Sequence, residues 1–271
     1  MEIIRIEHAS KTYDTQTDVL FDISLSIQAG ELVVFVGPSG CGKTTLLKMI
    51  NKLIAPTKGY IYYKGKKLSQ WDTIEIRRNI GYVIQQVGLF PHMTIEQNIA
   101  YVPSIQREKP ASYRPRVETL IQLVGLQISD LKKYPHQISG GQAQRIGVAR
   151  ALAADPEIIL MDEPFGAVDE INRRNLQLEL KKIHRTLKKT ILFVTHDIGE
   201  AIRLADRIVL LNQGKIEQEG TPQSLIFEPK NEFVRSFFGA RALKEHINEE
   251  KLNKYYEQLL ANEVELSDLF T

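Results

Sequence analysis

A glycine-rich segment near the N-terminus carries the residue types that bind a phosphate group. The run Gly37-Pro38-Ser39-Gly40-Cys41-Gly42-Lys43-Thr44 matches G-x-x-x-x-G-K-[ST]. Glycines let backbone N–H groups approach phosphate oxygens without a Cβ in the way, and a helix starting at the end of the loop directs further N–H groups at the same anion. Lys43 would contact the β- and γ-phosphates, and the Thr44 hydroxyl would bind Mg²⁺. The segment predicts a nucleoside triphosphate site whose contacts are Gly37, Pro38, Ser39, Gly40, Cys41, Gly42, Lys43, Thr44 and Thr45.

The single cysteine of the chain, Cys41, lies inside this loop. One cysteine excludes an intrachain disulfide, which fits a reducing compartment. We interpret Cys41 as a small residue that fits the loop. Because a helix N-terminus lowers the pKa of a nearby thiol, the helix that starts near Lys43 is expected to lower the pKa of Cys41.

Two adjacent carboxylates follow an apolar segment further along the chain. Ile158-Ile159-Leu160-Met161 predicts a buried strand, and Asp162 and Glu163 come at its carboxyl end. Because side chains alternate along a strand, two acids at this place can have different roles. We expect Asp162 to hold Mg²⁺ and Glu163 to polarise an attacking water molecule.

The elements that must position these residues indicate an α/β fold. Leu32–Val36 is a continuous run of β-formers that leads directly into the glycine loop, and a helix is expected from Lys43 to about Asn51. Strands return at 158–161, 191–194 and 208–211, with a helix over roughly 171–187 between the first two. Strands that alternate with helices predict a mainly parallel sheet.

A mostly helical segment interrupts this pattern between about 88 and 152, and we interpret it as a subdomain inserted into the sheet protein. Prolines at 91, 103, 110, 115 and 135 are expected to divide it into short pieces. Residues 240–262 predict a last helix with an apolar face, formed by Leu243, Ile247, Tyr255 and Leu259. That helix either docks on the same domain or forms a separate interaction module.

Composition excludes several classes of function. The 271 residues have a formal net charge of +2, with 43% hydrophobic and 25% charged residues, which is typical of a globular domain and gives no sign of a nucleic-acid binder. The N-terminus does not resemble a secretory signal, and no apolar run approaches the roughly 20 residues that span a bilayer. We therefore expect a cytoplasmic chain whose membrane role, if it has one, comes through a partner.

The segment that decides among phosphate-loop proteins is Ile138-Ser139-Gly140-Gly141-Gln142, which resembles the LSGGQ signature of ABC ATPases. It lies shortly before the Asp162 strand, as in that family, and isoleucine replaces leucine at its first position. Ser139 and the amides of Gly140 and Gly141 would present donors to a γ-phosphate, with Gln142 completing the nucleotide contacts. The resemblance implies a head-to-tail homodimer in which the signature of one subunit covers the phosphate loop of the other.

Four other positions match the family. Tyr13 falls where the family places an aromatic ring that stacks on adenine, and Gln85 resembles the glutamine that links the Mg²⁺ site to the helical subdomain. Asp169 ends Gly166-Ala167-Val168-Asp169, which resembles the D-loop, usually Ser-Ala-Leu-Asp. His196 matches the switch histidine that contacts the γ-phosphate. The implied catalytic set is Lys43, Gln85, Glu163 and His196, and the implied Mg²⁺ set is Thr44, Gln85 and Asp162.

The resemblance also implies an architecture. It predicts an ABC ATPase domain over 1–240, with a mainly parallel core sheet, an N-terminal antiparallel β-subdomain and a helical subdomain at approximately 88–155. A C-terminal helical extension would occupy 241–271.

More narrowly, residues 81–94 and 151–167 look like those of osmoprotectant importer ATPases, which serve the uptake of quaternary amines such as glycine betaine, carnitine or choline. Many of these carry a C-terminal pair of CBS domains, for which the segment up to Thr271 is too short. The resemblance implies ATP and Mg²⁺ as cofactors and integral membrane permease subunits as partners. It also implies an extracytoplasmic solute-binding protein, separate or fused to the permease, and a peripheral position at the cytoplasmic face of the cell (inner) membrane.

Other interpretations stay open from the sequence. The chain could energise import of another small solute such as an amino acid, or export, because exporters share every catalytic residue. A non-transport ABC ATPase that acts on ribosomes or DNA usually has two cassettes or a coiled-coil insert, and neither pattern is present here. A P-loop kinase or GTPase that acts alone would not need Ile138–Gln142.

Overall fold

Two β-sheets form the framework of the chain in the computed structural model, which describes residues 1–13, 18–85, 88–166, 168 and 170–246. In chain order the strands are β1 (Glu2–Thr12), β2 (Asp18–Gln28), β3 (Leu32–Val36), β4 (Lys58–Tyr63), β5 (Lys66–Lys67), β6 (Ile80–Val83), β7 (Ile158–Asp162), β8 (Thr190–Val194), β9 (Arg207–Asn212) and β10 (Lys215–Gly220). The α-helices are α1 (Lys43–Ile50), α2 (Thr73–Arg78), α3 (Ile95–Ile99), α4 (Tyr101–Ile105), α5 (Pro110–Leu123), α6 (Gly140–Leu152), α7 (Glu170–Leu187), α8 (Ile198–Leu204), α9 (Pro222–Phe227) and α10 (Glu232–His246). The α/β class is confirmed.

The larger sheet has six strands in the order β10-β9-β3-β8-β7-β6. Five of them run parallel, and only the edge strand β10 is antiparallel to its neighbour β9. The inner strand β3 is buried along its whole length because both faces of the sheet are covered. This explains why the predicted strands at 32–36, 158–161, 191–194 and 208–211 read as continuous apolar runs rather than as alternating patterns.

The smaller sheet is antiparallel and has the order β2-β1-β4-β5, which confirms the predicted N-terminal β-subdomain. Ile4 on its central strand lies opposite both Ile27 and Tyr63, and all three side chains are buried. These residues belong to a core that also contains Phe35 and Leu46. The smaller sheet therefore packs over α1 and one face of the larger sheet.

A second core covers the opposite face of the larger sheet. It joins Val34 and Phe193 to Ile121 and Ile146 from the segment of short helices. The segment is divided into short helices as predicted, and Pro110 begins α5, but Pro103 lies inside α4 and Pro115 inside α5. A proline in the first turn of a helix forfeits no internal hydrogen bond, and one just beyond it forfeits a single bond, so both are tolerated.

The last described helix, α10, crosses position 240 and changes direction at Gly239, whose φ is 43°. Val234 and Phe238 are buried in the second core. The remainder of the helix predicted over 240–262 lies outside the described residues. No helix in the described part of the chain combines the length and apolar character that crossing a bilayer requires.

Candidate functional site

The candidate residues gather where parallel strands of the larger sheet end. Gly37 follows β3, and Glu163 follows β7. Gln85 comes two residues after β6, and His196 two residues after β8. Because these strands are parallel and hydrogen-bonded in the order β3-β8-β7-β6, their carboxyl ends lie at one edge of the sheet.

Two glycines of the phosphate loop are required by close contacts. A Cβ on Gly37 would lie 2.0 Å from the Leu211 carbonyl oxygen, and one on Gly42 would lie 2.5 Å from Leu20 Cδ2. Gly42 is also the N-cap of α1 with a φ of 103°, which favours glycine. The loop is therefore held against β2 and β9, while Pro38, Ser39 and Gly40 stay exposed at its rim.

Lys43 turns back into the loop. Its ammonium donates to the carbonyl oxygens of Gly37 at 2.8 Å and of Pro38 at 2.9 Å, and the residue is only 6% exposed. Its third donor lies 3.7 Å from Cys41 Sγ, a weak acceptor that a phosphate oxygen would replace. Thr44 and Thr45 follow at the start of α1, both half-buried.

The expectation that the pKa of Cys41 is lowered is wrong. The thiol is 4% exposed, and burial raises its pKa above the usual range, although the Lys43 charge and hydrogen bonds act in the opposite sense. Desolvation of the thiolate outweighs the field of the helix N-terminus because Cys41 packs in the core next to Gly37. Cys41 is a buried loop residue.

The hydroxyl of Thr44 donates to Asp162 Oδ1 at 2.8 Å, which joins the phosphate loop to the end of β7. Burial raises the pKa of Asp162, a rise to which the Glu163 charge contributes and which the Thr44 hydrogen bond opposes. A hydroxyl and a carboxylate are the oxygen ligands that Mg²⁺ prefers, with phosphate and water oxygens supplying the rest, so these residues fit the ion. Within the described residues no cluster of three or more His, Cys, Asp or Glu side chains could hold a metal ion by itself.

Tyr82 is a member of the site that the sequence did not indicate. Its hydroxyl lies 3.5 Å from Asp162 Oδ2, on the side opposite Thr44. Burial, with Asp162 as the second cause, raises the pKa of Tyr82 to about 12, so the hydroxyl stays protonated and able to donate. Only the pairing of β6 with β7 brings Tyr82 here, and a tyrosine three residues before Gln85 carries no such signal in the sequence.

Glu163 lies between two other candidate residues. Gln85 Nε2 donates to Glu163 Oε2 at 3.2 Å, and His196 Nδ1 lies 3.2 Å from Glu163 Oε1. Glu163 itself has a φ of 45° and follows the last residue of β7. This left-handed turn, rather than strand alternation, separates its direction from that of Asp162.

Two polar residues of the signature segment, Ser139 and Gln142, hydrogen-bond to each other. Ser139 is the N-cap of α6, accepts from the backbone N–H of Gln142 at 3.2 Å, and donates its own N–H to Gln142 Oε1 at 2.9 Å. Ser139 and Gly140 are exposed. A Cβ on Gly140 or Gly141 would meet no atom outside the local backbone within 4 Å. Nothing in the described part of the chain therefore requires these two glycines.

Two further candidates lie at the margins. Tyr13 comes directly after β1 and is 58% exposed, with Lys11 Nζ 5.4 Å from the centre of its ring. Asp169 lies outside the described residues.

Comparisons with known proteins agree with this arrangement. The family model described as ABC transporter matches residues 20–166. The glycine betaine/carnitine/choline transport ATP-binding protein OpuCA of Bacillus subtilis (strain 168) is 53% identical over 89% of this chain, and the chain spans only 63% of OpuCA. The glycine betaine uptake system ATP-binding protein YehX of Escherichia coli (strain K12) is 48% identical over 89% of this chain and 78% of YehX.

A solved structure is similar as well. The dimeric, post-hydrolysis ATP-binding cassette MJ0796 bound to ADP and Pi superposes with a TM-score of 0.71 at 34% identity, covering 81% of this chain and 98% of that one.

Proposed function

The chain belongs to the ABC transporter family, and from that premise we propose that it is the ATP-hydrolysing subunit of an importer. The observation that carries the proposal is the joining of four segments at one sheet edge. Thr44 of the phosphate loop bonds Asp162, and the adjacent Glu163 contacts both Gln85 and His196.

Each residue then has a chemical task. Lys43 and the loop amides bind the β- and γ-phosphates, and Thr44, Asp162 and Gln85 would hold Mg²⁺, which neutralises phosphate charge when bound. Glu163 accepts the proton of a water molecule whose oxygen bonds the γ-phosphorus, while the bond from that phosphorus to the ADP oxygen breaks. Each Glu163 oxygen has a second lone pair, so its contacts with Gln85 and His196 leave room for the water. His196 steadies the transferring group.

The donors at the start of α6 support a site shared between two copies. Ser139 and Gly140 are exposed, and no neighbour among the described residues fills the space around Gly140 and Gly141. The N-terminus of a helix favours an anion, and a γ-phosphate held by a second copy is the anion that the proposal supplies. Tyr13 would stack on adenine, and Asp169 would lie at the interface between copies.

A surface groove next to Gln85 is where we place the membrane partner. Its volume is about 260 Å³, and its lining includes Arg77, Arg78, Phe90, Tyr101 and Arg150. Arg150 donates to the Gly88 carbonyl oxygen at 2.9 Å, so the groove touches the segment that follows Gln85. A permease element held here would sense movement of the helical segment relative to the sheet, and it would fix the chain at the cytoplasmic face of the inner membrane. An extracytoplasmic solute-binding protein completes the proposed complex.

We assign a quaternary-amine osmoprotectant as the solute because OpuCA and YehX are named for glycine betaine, carnitine and choline. Another small solute, such as an amino acid, is the alternative, since the ATPase does not touch the cargo. Purification of the chain with its permease, followed by ATPase assays with glycine betaine or an amino acid and the binding protein, discriminates between them.

Glu163→Gln tests the hydrolytic role. The amide cannot accept the proton of water, so turnover should fall about 100-fold or more while ATP binding persists. ATP should then accumulate between two copies, and size-exclusion chromatography with ATP should detect a dimer. The matched control is Glu157→Gln at the other end of the same strand, where Glu157 accepts from Tyr63 and pairs with Lys64 at a partly exposed position.

The control should keep its turnover, because Glu157 lies at the opposite end of β7 from the site. A Glu163→Gln protein that hydrolyses ATP at the wild-type rate would remove Glu163 from the proposed role. An inactive variant that stays monomeric with ATP would contradict the shared site.

A further inference from the structure

The turn that carries His196 is organised by its two neighbours in sequence. The Thr195 hydroxyl accepts from the backbone N–H of Asp197 at 2.9 Å and donates to Glu200 Oε2 at 2.6 Å. Asp197 caps α8 by accepting from the backbone N–H of Glu200 at 3.0 Å. His196 thus lies between two residues whose side chains both hydrogen-bond to Glu200 in the first turn of α8.

Glu200 is a buried carboxylate that has no role in the proposed hydrolysis. It is 4% exposed, and besides the Thr195 hydroxyl it accepts from Gln177 Nε2 at 3.2 Å. The Gln177 carbonyl oxygen accepts from Arg203 Nε at 2.9 Å, which determines which end of the Gln177 amide faces Glu200. Burial raises the pKa of Glu200, and the hydrogen bonds from Thr195 and Gln177 oppose that rise.

These bonds form a chain with one direction. Gln177 and Thr195 both donate to Glu200, so the Thr195 proton is committed to the carboxylate and its lone pairs face the Asp197 N–H. A buried carboxylate is costly unless such donors satisfy it, and the same donors therefore fix the turn in one geometry.

We propose that Thr195 and Glu200 are positioning residues that hold His196 in reach of Glu163 and of the γ-phosphate. The inference rests on the proposed ATPase function. Gln177 extends the arrangement to α7. From that helix Arg173 also donates to the Val168 carbonyl oxygen at 2.9 Å and lies 3.7 Å from Asp197 Oδ2. The loop that follows Glu163 and the turn that carries His196 are therefore braced by the same helix.

The strand β8 offers a matched control. Thr190 at its start is 1% exposed, and Thr195 just past its end is 2% exposed. The Thr190 hydroxyl accepts from the backbone N–H of Gly30 at 3.0 Å. Thr190→Val and Thr195→Val each remove one buried, hydrogen-bonded hydroxyl with little change of shape, but only Thr195 adjoins His196.

The experiment compares Thr195→Val, Thr190→Val and Thr195→Ser in the full chain by thermal unfolding, by kcat and KM for ATP, and by NMR. Thr195→Val should lower kcat about 10- to 100-fold with KM for ATP within about twofold, because misplacement of His196 affects the reacting centre. Thr195→Ser keeps the hydroxyl and should restore most of kcat. Thr190→Val should lose less stability, because its hydroxyl makes one hydrogen bond where that of Thr195 makes two, and should keep its kcat.

NMR detects a misplacement of His196 directly at its side chain. Its imidazole ¹H–¹³C signal, identified by its loss in His196→Gln, should move in Thr195→Val and Glu200→Gln but not in Thr190→Val. In the His196→Gln background, Thr195→Val should lower kcat no further, since the residue it acts through is gone.

Two results would overturn the inference: an unmoved His196 signal in Thr195→Val, or kcat losses in Thr190→Val and Thr195→Val that simply follow their stability losses. Neither result touches the proposed function, which the Glu163→Gln measurement decides separately.

Discussion

Substitution of Gly141 by alanine separates the stability of the chain from its activity. Gly141 is the second residue of α6, and a Cβ there meets no atom outside the local backbone within 4 Å. Inside one chain the added methyl group has open space. In the shared site the same methyl group would project where a second copy brings its nucleotide.

The magnitudes follow from these two environments. Glycine is less favourable than alanine in a helix by roughly 0.5–1 kcal/mol, so the free energy of unfolding should rise by up to that amount. For a chain of this size the melting temperature should then increase by about 1–4 °C. Forcing a methyl group into a closely packed contact costs about 1–3 kcal/mol, and each 1.4 kcal/mol is tenfold, so the ATP-bound dimer should weaken by about 5- to 150-fold.

The assay measures three quantities: thermal unfolding without nucleotide, ATP turnover, and ATP-dependent dimerisation in the Glu163→Gln background. Ala111→Gly is the matched control, because Ala111 is exposed and is also the second residue of its helix, α5. That reverse change should lower stability by a similar amount and leave both turnover and dimerisation unchanged.

The reasoning would be refuted by wild-type turnover and dimerisation in Gly141→Ala, since no second molecule would then approach the start of α6. A marked fall in the stability of Gly141→Ala would contradict the expected gain in stability, because the space around Gly141 would then not be open within the chain.

Two further predictions concern the phosphate loop. Lys43→Ala should weaken ATP binding about 10- to 150-fold, because a hydrogen bond to a charged group contributes about 1.5–3 kcal/mol. Titration with a fluorescent ATP analogue measures the affinity, and Lys58→Ala, at an exposed position, is the control. Unchanged affinity in Lys43→Ala would contradict the loop assignment. Alkylation of Cys41 near neutral pH should be slow and should accelerate as pH rises, because burial raises the thiol pKa and only the thiolate reacts. Bound ATP should slow the alkylation further. Mass spectrometry measures the labelling rate, with the denatured chain as the fast reference, and a native protein labelled as fast as the denatured chain would contradict the prediction.

The parts of the fold that could be predicted from the sequence are those whose pattern is local. Leu32–Val36 is apolar at every position because β3 is covered on both faces, and the loop that follows has glycines where Leu211 and Leu20 leave no space for a Cβ. The strands β7, β8 and β9 are recognisable for the same reason as β3. Each of these signals resides in a few consecutive residues.

The strands that escaped prediction depend on partners distant in sequence. β6 has only four residues and includes Gly81, where a Cβ would lie 2.5 Å from the Ala151 carbonyl oxygen. β10 has no fully buried residue and is held by hydrogen bonds to β9 at the edge of the sheet. β6 is mostly buried but too short, and interrupted by a glycine, to show a distinctive apolar pattern, whereas β10 is determined by pairing rather than by burial.

The same limit applies to the site. Lys43, Asp162 and Glu163 could be identified from motifs, and their spatial meeting follows from parallel strands. The direction of the Glu163 side chain could not, since it depends on a backbone turn with a φ of 45°. Tyr82 reaches the site only through a tertiary hydrogen bond, and Glu200 is buried behind the His196 turn and contacts Thr195, so neither residue belongs to a motif that indicates a role.

The site thus has two halves with different physical support. The residues around Glu163 are hydrogen-bonded to one another within the chain, so substitutions there affect folding and chemistry together. The Ser139 and Gln142 side chains bond within the signature, so in the proposed site Gly140 and Gly141 are expected to contribute to turnover without contributing to the stability of the monomer. A nucleotide that contacts both halves binds the closed dimer in preference to separate chains, and mass action alone then drives closure. In the proposed site, cleavage of the γ-phosphate would remove the charge that α6 of the second copy contacts, so the hydrolysis proposed for Glu163 would also weaken the dimer on which it depends.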